Sequence, residues 1–187
     1  MGIYLNPENV DFQKSLNSEI YIDKTELIAY TNKKLNTEQG YICVSRPRRF
    51  GKSMAANMLT AYYSRGCDSR KLFQGLKIAM HPDFEKHLNQ YNVIHLNMRD
   101  YLTESENMKQ LIQFVEDDLL DELQQEFSDL RMPRRKTLVK VLEQAFAQYK
   151  IPFVFIIDEW DCIFRVHKSD AASQKDYLDF LRNLLKD

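Results

Sequence analysis

"YICVSRPRRFGKSMA", residues 41–55, passes from apolar residues through a basic loop into Gly-Lys-Ser. A loop that cradles phosphate usually follows G-x-x-x-x-G-K-[ST]. Here Arg46 stands where the first glycine would be. The context still suits the motif. "GYICVS" (40–45) reads as a short buried strand, and "GKSMAANMLTAYYSRG" (51–66) has helical spacing, with Met54, Met58, Leu59 and Tyr62 on one face and Gly66 as a C′ stop. Phosphate binding needs backbone N–H groups turned into one concavity above a helix N-terminus, a flexible cation and a hydroxyl for magnesium. Gly51 permits close backbone approach, Lys52 reaches the outer phosphates and Ser53 can ligate Mg²⁺; Arg48, Arg49 and Phe50 contribute N–H groups, which Pro47 cannot. Taken alone, the tripeptide is equally an ordinary loop leading into a helix N-cap.

Working outward, "YNVIHLNM" (91–98) and "IPFVFIIDEWD" (151–161) are apolar runs expected as strands covered on both faces. Helices are expected at 24–34, 107–130, 134–149 and 173–186. In the second, Leu111, Val115, Leu119, Leu123 and Phe127 recur every four residues; in the third the inward set is Leu138, Val141, Leu142, Ala145 and Phe146. Leu27 and Ile28 point inward in the first, and Tyr177, Leu178, Leu181 and Leu185 mark the last. This alternation predicts an α/β chain with a mainly parallel sheet, its strands near 41–45, 92–98 and 152–158.

The 151–161 run ends in Asp158-Glu159, which puts two carboxylates at the C-terminal edge of a strand, where open α/β sheets bind ligands. Asp158 suits a magnesium-bound water, and Glu159 suits polarisation of an attacking water. The bland reading is a strand running out into a solvated acidic turn. The two motifs in this order, each after an apolar run, favour the chemical reading.

Composition sets the frame. The chain has 187 residues, 44% of them hydrophobic and 28% charged, with a net charge of −1, so no overall field gathers nucleic acid or an anionic membrane. Cys43, Cys67 and Cys162 lack metal spacing and read as reduced thiols of a cytoplasmic protein. The first residues show no signal-peptide pattern, and no apolar run approaches the ~18 residues of a membrane span. The four histidines show no metal spacing. "RMPRRK" (131–136) and "EDDLLDEL" (116–123) read as solvated helix surface, and Trp160 as a packing residue with Asp161 behind the carboxylates.

Three stretches, "YIDKTELI" (21–28), "SRPRRFGKSM" (45–54) and "FIIDEWD" (155–161), together resemble the bacterial AAA-ATPase-like P-loop family, whose members are often followed by a PD-(D/E)XK nuclease-like domain. In that family Arg-Pro-Arg-Arg-Phe-Gly-Lys-Ser is itself the phosphate loop (the Walker A element), so the resemblance accounts for Arg46; Pro47 supplies by rigidity part of what glycine supplies by permissiveness. The resemblance implies a three-layer P-loop NTPase, incomplete at its C-terminal side, with residues 1–38 as an N-terminal segment and 39–187 as the nucleotide-binding core. It implies ATP and Mg²⁺ as ligands, with Arg48, Arg49, Phe50, Gly51, Lys52, Ser53 and Met54 around the nucleotide. Ser53 and Asp158 (Walker B) hold the metal, and Lys52 and Glu159 are the catalytic pair of an ATP hydrolase. Tyr21, Asp23 and Lys24 are placed near the base, the competing reading being a polar helix start with Asp23 as N-cap. The family continues past this point into a strand bearing a sensor residue, so the chain is expected to be a fragment in which binding survives while hydrolysis is impaired. Three alternatives stay open: a regulatory nucleotide switch with negligible turnover, a P-loop kinase, and a nucleic-acid module using Arg46, Arg48 and Arg49. Nucleic acid could also be met through the longer parent protein, and a homo-oligomer is compatible with the family.

Overall fold

The computed structural model describes residues 2–45, 47 and 49–185. In chain order it forms α1 (Val10–Leu16), α2 (Glu26–Asn32), α3 (Lys52–Tyr63), α4 (Arg70–Phe73), a 3₁₀ turn (Lys77–Met80), α5 (Phe84–His87), β1 (Asn92–Asn97), α6 (Met98–Glu104), α7 (Met108–Glu126), α8 (Leu138–Tyr149), β2 (Phe153–Asp158), α9 (Cys162–Val166) and α10 (Ala171–Leu184). The class is mixed α/β, and β1 and β2 pair as a small two-stranded parallel sheet. Among the described residues no helix is long and apolar enough to cross a membrane.

The expected strand at 41–45 is not formed. Those residues carry no strand, and Tyr41, Cys43 and Val44 are exposed rather than buried. An apolar run becomes a strand only where a neighbour completes its ladder, because β-propensity reports side-chain context more than backbone preference. Among the described residues the strand ladder is the one between β1 and β2. β2 itself is half-buried along its length, less covered than its apolar composition suggests.

The chain divides into two compact units. The first comprises Asn6–His95 with Phe153–Ile156. Its core gathers Phe12, Ile28, Met58, Tyr62, Tyr63, Phe73, Ile78, Phe84 and Val93, with Val154 and Ile156 packed against them. Aromatic rings interlock there: Phe12 stacks on Phe73 at 5.0 Å, and Tyr62 meets both Tyr63 and Phe73 edge-on. Such pairs add about 0.5–1.5 kcal/mol each beyond area burial. The buried hydroxyls are satisfied, Tyr62 donating to Phe84 O at 2.7 Å and Tyr63 to Asn32 Oδ1 at 2.7 Å. α3 ends at Ser64, which is extended, so Gly66 is not the left-handed stop expected of it. Gly66 is needed for another reason: a Cβ there would sit 2.2 Å from the backbone oxygen of Asn6.

The second unit comprises Gly2–Leu5, Leu96–Pro152 and the chain from Ile157 on. α7 packs through Leu111, Val115, Leu119 and Leu123, all fully buried, as the four-residue spacing requires. α8 starts at Leu138 instead of 134, with Thr137 in the extended conformation as its N-cap. Its Phe146, expected inward, lies at the edge of the buried stripe and is 47% exposed. Glu122 is also no simple solvated group: its carboxylate accepts from the N–H groups of Ile3 (2.6 Å), Tyr4 (3.0 Å) and Leu5 (2.6 Å).

Candidate functional site

The phosphate-loop residues belong to the first unit. Gly51 is the N-cap of α3 in the left-handed region (φ 76°, ψ 32°), a conformation that costs an L-residue about 1–2 kcal/mol. Arg49, two residues earlier, is also left-handed (φ 67°). Turns of this kind bring successive N–H groups to one side and make anion-binding concavities. Lys52 and Ser53 then open the twelve-residue α3, with Met54 in its first turn, at the end that carries the positive pole of the peptide dipoles. The Lys52 ammonium donates to Pro47 O at 3.4 Å. Phe50 is exposed, and Arg48, like Arg46, lies outside the described residues.

A second ammonium meets the same loop. Lys24 Nζ donates to Phe50 O at 3.2 Å, and it lies 3.2 Å from the place a Cβ on Gly51 would occupy. Lys24 is presented by a pinned turn. The Asp23 carboxylate accepts from Thr25 N (2.8 Å) and Thr25 Oγ1 (2.6 Å) through one oxygen, and from Lys77 N (2.8 Å) through the other. Burial acts to raise the Asp23 pKa, but the bonds from Thr25 and Lys77 together with the Lys77 charge outweigh it and hold the carboxyl below its usual range. Asp23 is therefore a clamp between α2 and the 3₁₀ turn and not the N-cap of α2, which is Thr25. Tyr21 packs edge-on against Phe12, and its hydroxyl is pushed up to about 12, chiefly by burial.

The acidic pair belongs to the end of β2 in the second unit. Asp158 closes the strand, and its Oδ1 accepts from Glu159 N at 2.8 Å. Glu159 is left-handed (φ 51°), an outlier for a residue with a Cβ and the kind of strain that collects at working sites. The turn is locked by Cys162 N donating to Glu159 O at 2.9 Å. The Glu159 carboxylate forms an ion pair with Arg165 of α9, whose guanidinium also reaches Asp161 Oδ2 at 3.5 Å. Trp160 packs edge-on against Phe164 and accepts at its carbonyl from Tyr177 Oη at 2.9 Å, as a packing residue should.

Three partners escaped the sequence reading. Lys24 to Phe50 and Asp23 to Lys77 are long-range contacts with no local periodicity to reveal them. Arg165 was readable in principle, since it stands four residues after Asp161 on a helix and the i,i+4 spacing pairs charges. A cavity of 390 Å³ among α7, α8 and α10, lined by Ile112, Leu138, Phe180, Glu116, Asp176 and Asp179, includes none of the expected site residues.

No curated protein and no solved structure matches this chain. A family model described as "Predicted AAA-ATPase" matches residues 10–187, which takes in the clamp at Asp23, the Gly-Lys-Ser loop and the Asp158-Glu159 turn, and the chain belongs to that AAA-ATPase-like family.

Proposed function

We propose that this chain is a P-loop NTPase domain that binds ATP with Mg²⁺ and takes part in its hydrolysis. The observation that carries the reading is Gly51: a left-handed glycine opening α3 directly before Lys52 and Ser53, with cationic side chains over the loop. That donor set suits a polyphosphate, and family membership supports the same assignment. Loop amides at Arg49, Phe50 and Gly51 orient the phosphates, and Lys52 neutralises charge on the outer ones. Ser53 suits a magnesium ligand at the loop and Asp158 suits a magnesium-bound water; the metal, when bound, would offset phosphate charge and help fix its orientation. Glu159 aligns a water and accepts its proton. Electrostatic stabilisation of the phosphoryl group is the main expected source of rate.

One observation favours a second reading, a nucleotide switch with slow turnover: the Glu159 carboxylate is engaged by Arg165. Phosphate release measured on wild type and Glu159→Gln decides between them. ATP-dependent release abolished in Glu159→Gln, with binding retained, supports hydrolysis. Binding without release in both supports the switch. Release that is equal in both removes Glu159 from the mechanism.

A further inference from the structure

We infer that Lys24 is a second phosphate-binding cation of the loop, touching the nucleotide's phosphates beside Lys52; the inference rests on the phosphate-loop reading above. Two ammonium groups from separate elements converge on one short loop, Lys24 through Phe50 O and Lys52 through Pro47 O. Like charges drawn to one place repel unless an anion offsets them. Among the described residues no carboxylate pairs with Lys24, whose hydrogen bond is to the loop carbonyl alone. An ammonium carries three donors, so at least one remains to turn toward a ligand. Its position is not accidental to the chain: Asp23, with three hydrogen bonds, fixes the backbone on one side of Lys24, and α2 begins two residues after it. Nζ lies over Gly51, the residue whose missing side chain leaves the loop open. These contacts with the loop favour the phosphates over the base as the part of the nucleotide that Lys24 meets.

A purely structural latch is the competing role, and glutamine separates the two. Lys24→Gln keeps an N–H that can reach the Phe50 carbonyl but loses the charge. Binding of Mg-ATP, Mg-ADP and AMP is measured at two salt concentrations for wild type, Lys24→Gln, Lys24→Arg and Lys52→Ala, with melting temperatures alongside. A charge contact predicts that Lys24→Gln weakens ATP by about tenfold or more, the effect of losing one charge-assisted hydrogen bond. AMP should change far less, Lys24→Arg should recover most of the loss, and the salt dependence of ATP binding should flatten. If Lys24→Gln binds ATP like wild type while Lys52→Ala is weakened, Lys24 is only a latch and the phosphate-loop reading stands without it. An equal loss for ATP and AMP likewise overturns the phosphate contact. If the folded wild type binds none of the three, both the inference and the reading beneath it fall.

Discussion

Asp23→Asn tests whether the turn carrying Lys24 is held as described. Asparagine keeps one acceptor oxygen for Thr25 but turns an NH₂ toward the Lys77 N–H, so a charge-assisted bond is replaced by donor facing donor. Losing such a bond at a half-buried position costs about 1.5–3 kcal/mol. For a chain of this length that corresponds to a fall of roughly 3–12 °C in Tm. The pH dependence has a definite sign. The carboxyl's pKa is depressed in the folded protein, so its contribution is fully present above the unfolded value of 3.8 and is lost as pH falls through the lower folded value. Wild type and Asp23→Asn should therefore differ most near neutral pH and converge in acid, where a protonated Asp23 resembles asparagine. Urea denaturation at pH 7 and at pH 3 reads both quantities. A gap under about 0.5 kcal/mol at pH 7, within the range of an ordinary surface substitution, would refute the clamp; so would a gap that is undiminished in acid.

The other predictions concern single contacts. Gly66→Ala should destabilise by about 2–4 kcal/mol in denaturant titration, since its Cβ would meet Asn6 backbone at 2.2 Å and Asn6 is itself tied to Val93 by hydrogen bonds of 2.7 and 2.9 Å. Glu122→Gln should cost about 1–3 kcal/mol and speed hydrogen exchange at the amides of Ile3, Tyr4 and Leu5, whose acceptor it weakens. Arg165→Ala should cost about 1–3 kcal/mol, because it takes the charge partner from Glu159, whose side chain is only 19% exposed, yet raise phosphate release at unchanged ATP affinity by releasing that carboxylate from the ion pair. Slower release in Arg165→Ala would mean that the ion pair positions Glu159 instead of restraining it.

What was legible in the sequence follows from range. α7 was readable because five apolar residues at four-residue spacing demand one buried stripe, and Leu111 to Leu123 form it. β1 and β2 were readable as apolar runs with Asp158 at the far end. The Gly-Lys-Ser at a helix start was equally plain, and α3 begins at Lys52. Residues 41–45 looked the same as those strands by composition, yet a ladder partner is a non-local property that no window of sequence contains. Gly66 illustrates the same limit: its place after the helix suggested a cap, whereas the contact that forbids a side chain comes from Asn6, sixty residues earlier. Lys24 and Phe50 are 26 residues apart, and the pairing of a lysine with a backbone carbonyl leaves no trace in residue identity. The left-handed backbone of Glu159 was hidden too, because a glutamate does not announce a positive φ as glycine would.

Equilibrium binding of Mg-ATP to wild type and Lys52→Ala in parallel reads out whether the loop opening α3 binds nucleotide phosphate. Saturable binding should weaken by about tenfold or more in the variant, with the fold of both intact by circular dichroism. Equal binding by the two proteins, or none by the folded wild type, would contradict phosphate binding by the loop.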